Sequence, residues 1–371
     1  DLRFKERHSC EHLKNGTDDL VHARRMHSIS RVGDCKANGL VTVLGDVTAL
    51  QIIRACNYAG FHMPTTTMSA LPDKVVSQNR LMNALDEVQR AISSFLCSRP
   101  VSILVDGNTR MRADGFRRVI NCSSPSLGRQ FYRLAKDLFV LKPNPALCMM
   151  QRGVRDIVRT LLLLWEACGT YQTSLTAMES KSQVQPLTSV RSLSKFVSAN
   201  PSICGSAIVG RALKYVRDGS ASLRETQLAL VLGLPRRYGG YNLGLPVMNF
   251  GVEASPEARA IGGRKAYYCD LCWPEHRIDV EYQSDKEHAG EKMRIKDSRR
   301  TNALKSMGWN VFTVTNNEIR SVSTLEALSD SLRRAMGKRS RRFDSEFRVK
   351  NLLLHRHLGI VDDGRDYQSF S

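Results

Sequence analysis

Between Tyr267 and Thr315 the apolar period changes from two to 3.6 and back to two, an order that few local folds accommodate. Residues 266–272 alternate as a strand, and Trp273-Pro274-Glu275 supplies a turn, because Pro fixes φ and cannot donate to a ladder. Residues 276–283 alternate again. His276, Ile278, Val280 and Tyr282 share one face, and Arg277, Asp279, Glu281 and Gln283 share the other. A tight hairpin sets Asp270 opposite Asp279 or Glu281, depending on one step of register. Either choice gathers the carboxylates on one face, because strand side chains repeat every two residues. A polar helix is expected over 287–306, closed by Gly308, and residues 309–315 form a second β run.

Carboxylates that converge from paired strands repel unless protons or a cation neutralise them. A Mg²⁺ site uses that arrangement, with water and substrate phosphate completing the octahedron. The plain alternative is a solvated sheet face whose charges pair with nearby Arg and Lys.

The order strand, Asp, hairpin, Glu-x-Gln, helix, strand resembles the PD-(D/E)xK nuclease superfamily. More narrowly, it is similar to the small bacterial domains related to very-short-patch repair endonucleases. The residues that carry the likeness are Asp270, Trp273-Pro274-Glu275, Glu281, His288, Asp297, Arg300, Leu304 and Gly308-Trp309. The resemblance implies a restriction-endonuclease-like α/β core, a central mixed sheet flanked by helices. It also implies a Mg²⁺ or Mn²⁺ cofactor and hydrolysis of DNA, double- or single-stranded, in defence or repair. Gln283-Ser284 departs from the pattern, standing where Asp-Gly or a catalytic Lys is usual. A noncatalytic DNA-binding regulator that keeps the nuclease fold is therefore the alternative.

Asp270 and Glu281 are the expected metal ligands, and Glu225 joins them. Ser222-Leu223-Arg224-Glu225 opens a helix as a capping box, and Glu225 shares the stripe of Leu228, Ala229 and Leu232. A carboxylate on a core-facing stripe needs a partner. The resemblance assigns it to the metal, whereas capping alone also explains it. Gln283 and His288 complete the catalytic set as groups that orient or deprotonate water, the free imidazole having a pKa of about 6.5. A surface role is the alternative for His288. Lys292 and Lys296 stand where a migrated lysine would reach in. With Arg236, Arg237, Arg299 and Arg300 they make up the expected nucleic-acid-binding set.

The net charge of +19 and a pI near 9.7 point to nucleic acid, because Lys and Arg displace condensed counterions from phosphates. No run of about 18 apolar residues and no basic amphipathic helix favours a membrane. No paired aromatic strand signature favours RNA. Ten scattered cysteines and no signal pattern fit a reducing cytoplasm. Cys269-x-x-Cys272 is the one metal-like spacing. Zinc needs two further ligands, and in a regular strand these two thiols point to opposite faces.

Residues 201–336 are expected to form the nuclease-like domain and 337–371 a basic extension with a short helix. Residues 1–200 are expected to form a mixed α/β or mostly helical domain with a recognition or regulatory role. Part of that half is similar to type IV abortive-infection antitoxins, which leaves room for a protein partner, and a homodimer is also compatible.

Overall fold

The structure is a computed structural model that describes residues 41–360 except 93, 94, 96, 108, 110–113, 123–126 and 284–290, with backbone only for 291–294. The protein is mixed α/β, with two mixed sheets flanked by helices. The first sheet holds β1 (Thr42–Leu44), β2 (Thr65–Thr66), β3 (Val101–Asp106), β4 (Arg117–Cys122), β5 (Phe131–Ala135) and β6 (Leu138–Leu141). Their spatial order is β2-β5-β6-β1-β3-β4. β1 runs parallel to β6 and β3 parallel to β4, while β1 and β3 are antiparallel. Val101–Val105 is buried throughout, as a strand covered on both faces requires. Helices α1 (Asp46–Tyr58) and α2 (Gln78–Ala91) follow β1 and β2, and α2 buries the stripe Leu81, Leu85 and Val88.

The apolar stretch up to Trp165 reads as one helix in sequence but forms two, α3 (Pro143–Met150) and α4 (Ile157–Cys168). Gly153 at φ +73° breaks it, and the Asp156 carboxylate restarts it by accepting from Val158 N–H at 2.9 Å. Strands β7 (Tyr171–Gln172) and β8 (Lys181–Ser182) make a small ribbon, and α5 (Val190–Ala199), α6 (Ser206–Ala212) and α7 (Leu223–Gly233) lead into the second sheet.

That sheet contains β9 (Val247–Glu253), β10 (Ala266–Trp273), β11 (Ile278–Gln283) and β12 (Asn310–Thr315), in order β12-β11-β10-β9. β9, β10 and β11 form an antiparallel meander. β12 lies parallel to β11 and is reached through α9 (Glu291–Ser306). Helix α8 (Pro256–Gly262) joins α9 on one face, where Tyr267, Cys269, Cys272, Leu304 and Trp309 form a satellite core. The other face, with Leu271, Trp273, Ile278 and Val280, belongs to the main core, which also contains Leu228–Leu232 of α7 and Leu44, Ile52 and Leu104. Hydrophobic packing thus joins the two halves of the chain.

The chain then forms α10 (Asn316–Arg320), α11 (Val322–Ala335) and α12 (Ser345–His357). α12 docks back onto the core: Gln227 Nε2 donates to the Leu358 carbonyl at 2.6 Å, and Asn351 Nδ2 donates to the Gly239 carbonyl at 2.8 Å. Gly239 has φ +86°, and a Cβ there would stand 2.3 Å from the Lys350 carbonyl oxygen. Gly239→Ala combines a disfavoured φ with a backbone clash, so urea unfolding is expected to show a loss of at least about 2 kcal/mol.

Candidate metal centre

The geometry of the site begins with a slip in the sheet. Leu271 and Trp273 face the main core, while Tyr267, Cys269 and Cys272 face the satellite core. A regular strand would place 267, 269, 271 and 273 on one side. The alternation therefore shifts by one at Asp270. The ladder pairs Cys269 with Phe250 and Leu271 with Met248, so Asp270 faces Asn249, whose φ of +48° interrupts β9 at the same level. This corrects the expectation that Cys269 and Cys272 point to opposite faces: both are buried on the same side.

The β10–β11 ladder ends at Leu271↔Val280, and continuing its register would bring Asp270 opposite Glu281. Here the strands part, and Asp270 Oδ2 accepts a hydrogen bond from Tyr282 N–H at 3.0 Å in place of the ladder. Glu281 is buried, with Oε2 held by the Arg300 guanidinium. Arg300 reaches across from α9 and also donates to the Tyr268 carbonyl. It is bound to the carboxylates rather than presented to solvent, and it does not form the local pair with Asp297 that helical spacing alone allows.

Glu225 approaches from α7. Ser222 caps the helix by accepting from Glu225 N–H at 3.1 Å. The Glu225 carboxylate in turn accepts from Ala221 N–H and the Ser222 hydroxyl, both at 2.9 Å, and from Asn249 Nδ2 at 3.4 Å. It is thus a capping group and a neighbour of the strand carboxylates at once. Burial raises its pKa, and the charge on Glu281 raises it further. Asp270 is pushed up to about 7 by burial first and then by Glu281 and Glu225, against the opposing effects of Tyr282 N–H and Arg300.

A fourth carboxyl, Asp279, was open to sequence reasoning only as a register alternative. It is fully buried, its carboxyl within hydrogen-bonding reach of Glu281 and Cys269. Burial, then Glu281 and Cys269, raise it far above the carboxylate range. Its period-two spacing from Glu281 was visible in sequence, but its depth was not.

Gln283 ends β11, paired with Thr315 and exposed. His288 lies outside the described residues. Lys292 lies on α9 where only backbone is described, and Lys296 and Arg299 are exposed on that helix. Arg236 and Arg237 belong to a different neighbourhood. Arg236 stacks over Phe343 and Phe347 and lies 3.7 Å from Asp344, while Arg237 lies over Tyr238 and donates to the Tyr215 hydroxyl.

Among the described residues no group of three or more His, Cys, Asp and Glu side chains is already arranged around one metal position. The donors at Asp270 and Glu281 are nonetheless hard oxygens held in a buried carboxyl cluster. That set fits Mg²⁺, which takes one or two carboxylates and fills its remaining positions with water and phosphate.

No family model matches the chain, and no solved structure matches it. It is similar to two uncharacterized proteins of Mycobacterium tuberculosis, one from strain H37Rv and one from strain CDC 1551. Each is 26% identical over 117 residues, which is 30% of this chain. The matched stretch spans 37% of the length of each curated relative. No helix among the described residues is long and apolar enough to cross a membrane.

Because Asp270 holds its proton more tightly when folded, its contribution to stability is full below about pH 4 and is lost as pH rises through about 7. Asp270→Asn removes that loss. Thermal melts in chelator should show the variant gaining on wild type between pH 5 and 8 and matching it near pH 4. Parallel curves would refute the assignment.

Proposed function

We propose that the protein is a Mg²⁺- or Mn²⁺-dependent DNA endonuclease with a restriction-endonuclease-like core. The observation that carries this reading is that Asp270, bonded to Tyr282 N–H where the β10–β11 ladder stops, feels the charges of both Glu281 and Glu225, the latter brought in by α7. The order helix, three-strand meander, helix, parallel strand supports the finer fold assignment, with its carboxylates on the first helix and the second and third strands.

Asp270 and Glu281 would hold the ion, and Glu225, steadied by Ala221 N–H, Ser222 and Asn249, would bind its water shell. The ion, when bound, supplies an activated water and neutralises charge on the phosphoryl oxygens. Arg300 pairs with Glu281 and offsets part of the repulsion among the carboxylates. Lys296 and Arg299, exposed on the same helix, would meet backbone phosphates flanking the scissile bond. Gln283 would orient water through its amide, since it cannot accept a proton at neutral pH.

A second reading follows from Gln283-Ser284 and from Arg300. With no Lys at the strand end and an arginine already neutralising Glu281, the fold would serve as a DNA-binding regulator without catalysis.

Supercoiled plasmid and single-stranded DNA incubated with Mg²⁺ or Mn²⁺ separate the two. Wild type is expected to cut. Glu281→Ala should lose roughly three orders of magnitude in rate, the loss of several kcal/mol of charge stabilisation, while still binding DNA. Binding without cutting by wild type selects the regulator, and equal cutting by both proteins removes Glu281 from the site.

A further inference from the structure

A second concentration of charge lies after α11, in residues that share nothing with the carboxylate cluster. The segment Gly337-Lys338-Arg339-Ser340-Arg341-Arg342 is pinned at several points. Lys338 Nζ donates to the Leu243 carbonyl at 3.1 Å. Ser340 Oγ donates to the Asp330 carboxylate, 2.5 and 2.6 Å from its two oxygens, and Arg341 N–H donates to the same group at 3.4 Å. Phe343 stacks on Phe347, with ring centroids 4.5 Å apart, and packs against Tyr241. The main chain is thus tied down while the guanidinium groups of Arg339, Arg341 and Arg342 are exposed. None of the three takes part in an ion pair among the described residues.

Beneath them lies Arg333, only 3% exposed. One of its Nη groups donates to the Tyr241 carbonyl, and its Nε has no hydrogen-bond partner. Burial, and then the positive charge of Arg341, disfavour its protonated form; Asp330 opposes this and Arg236 adds to it. The positive charges of Arg341 and Arg236 both act on Arg333, which is itself buried and leaves the outer arginines to meet a ligand. Asp330 is already engaged by Arg334, Ser340 and Arg341, and Asp344 is largely exposed beside Arg236. Arg339, Arg341 and Arg342 are therefore exposed like charges without ion-pair partners among the described residues, an arrangement that a surface anion relieves.

We propose that Arg339, Arg341 and Arg342, carried on this pinned main chain, form a phosphate-binding strip that grips the nucleic-acid backbone. Guanidinium groups match phosphate oxygens in pairs, and preorganised donors lose little freedom on binding. Free inorganic phosphate offers the same chemistry, so the test must tell the two sources apart. The site is independent of the metal reading.

The experiment compares wild type with Arg339→Ala/Arg341→Ala/Arg342→Ala, whose exposed side chains leave folding intact. A control, Lys74→Ala/Arg90→Ala/Lys136→Ala, removes the same charge elsewhere from exposed positions. Fluorescence anisotropy with a labelled duplex over a KCl series gives the slope of log affinity against log salt. Thermal melts with and without inorganic phosphate supply the second arm. The slope should fall by about 2.7 in the first triple variant, about 0.9 for each phosphate no longer neutralised, and stay unchanged in the control. An unchanged slope, with phosphate stabilisation lost only in the first variant, places free phosphate at the site and removes the nucleic-acid assignment. Equal slope losses in both variants, or no change in either arm, overturn the proposal. Wild type that binds DNA through these arginines yet cuts none leaves this site standing and refutes the nuclease.

Discussion

The C-terminal sheet depends on a compromise between strand pairing and charge repulsion. The ladder of β10 and β11 proceeds in register until the next step would seat Asp270 directly against Glu281, and there it stops. Two buried carboxylates cannot both ionise freely at such a position, so the chain uses what it has. Tyr282 N–H turns to Asp270, Arg300 spans from α9 to Glu281, and the proton on Asp270 is held more tightly. Asn249 adopts its positive φ opposite Asp270, allowing the pleat to change sides without losing register on β9. Much of what is chemically unusual in this half follows from that one pair.

The rest of the protein holds the pair in place. α7 shares the main core with β10 and β11 on one face, and its first turn carries Glu225. On the other face α8 and α9 enclose the satellite core with Tyr267 and Leu304, and α9 brings Arg300 over the carboxylates. The segment held by Asp330 shows the reverse balance, three exposed arginines without ion-pair partners among the described residues.

Several expectations were legible because local physics decides them. The alternation of residues 266–283 gave both strands of the hairpin, the Trp-Pro-Glu turn gave its reversal, and Ser222 with Glu225 gave a helix start. The helical spacing of Leu81, Leu85 and Val88 is likewise a local signal for α2. Other expectations failed where distant groups intervened. Nothing local predicts that Cys269 and Cys272 share a face, because the slip at Asp270 is matched by Asn249 in another strand. Helical spacing offers Asp297 to Arg300, yet Arg300 satisfies Glu281 instead, since a buried carboxylate gains more from a cation than an exposed one does.

Taken alone, the sequence determined a basic chain, the order of elements from Ser222 to Thr315, and a set of acidic residues with period-two spacing. Those are properties of composition and of short-range repeat. Only the tertiary structure decided that Asp279 pairs with Cys272, leaving the register to carry Asp270 toward Glu281, that Asp279 is fully buried, and that the charges of Arg236 and Arg341 act on a buried Arg333. Register, depth and the meeting of separate segments are set by how whole elements pack. Local sequence leaves each of them degenerate, and the shared core removes that degeneracy.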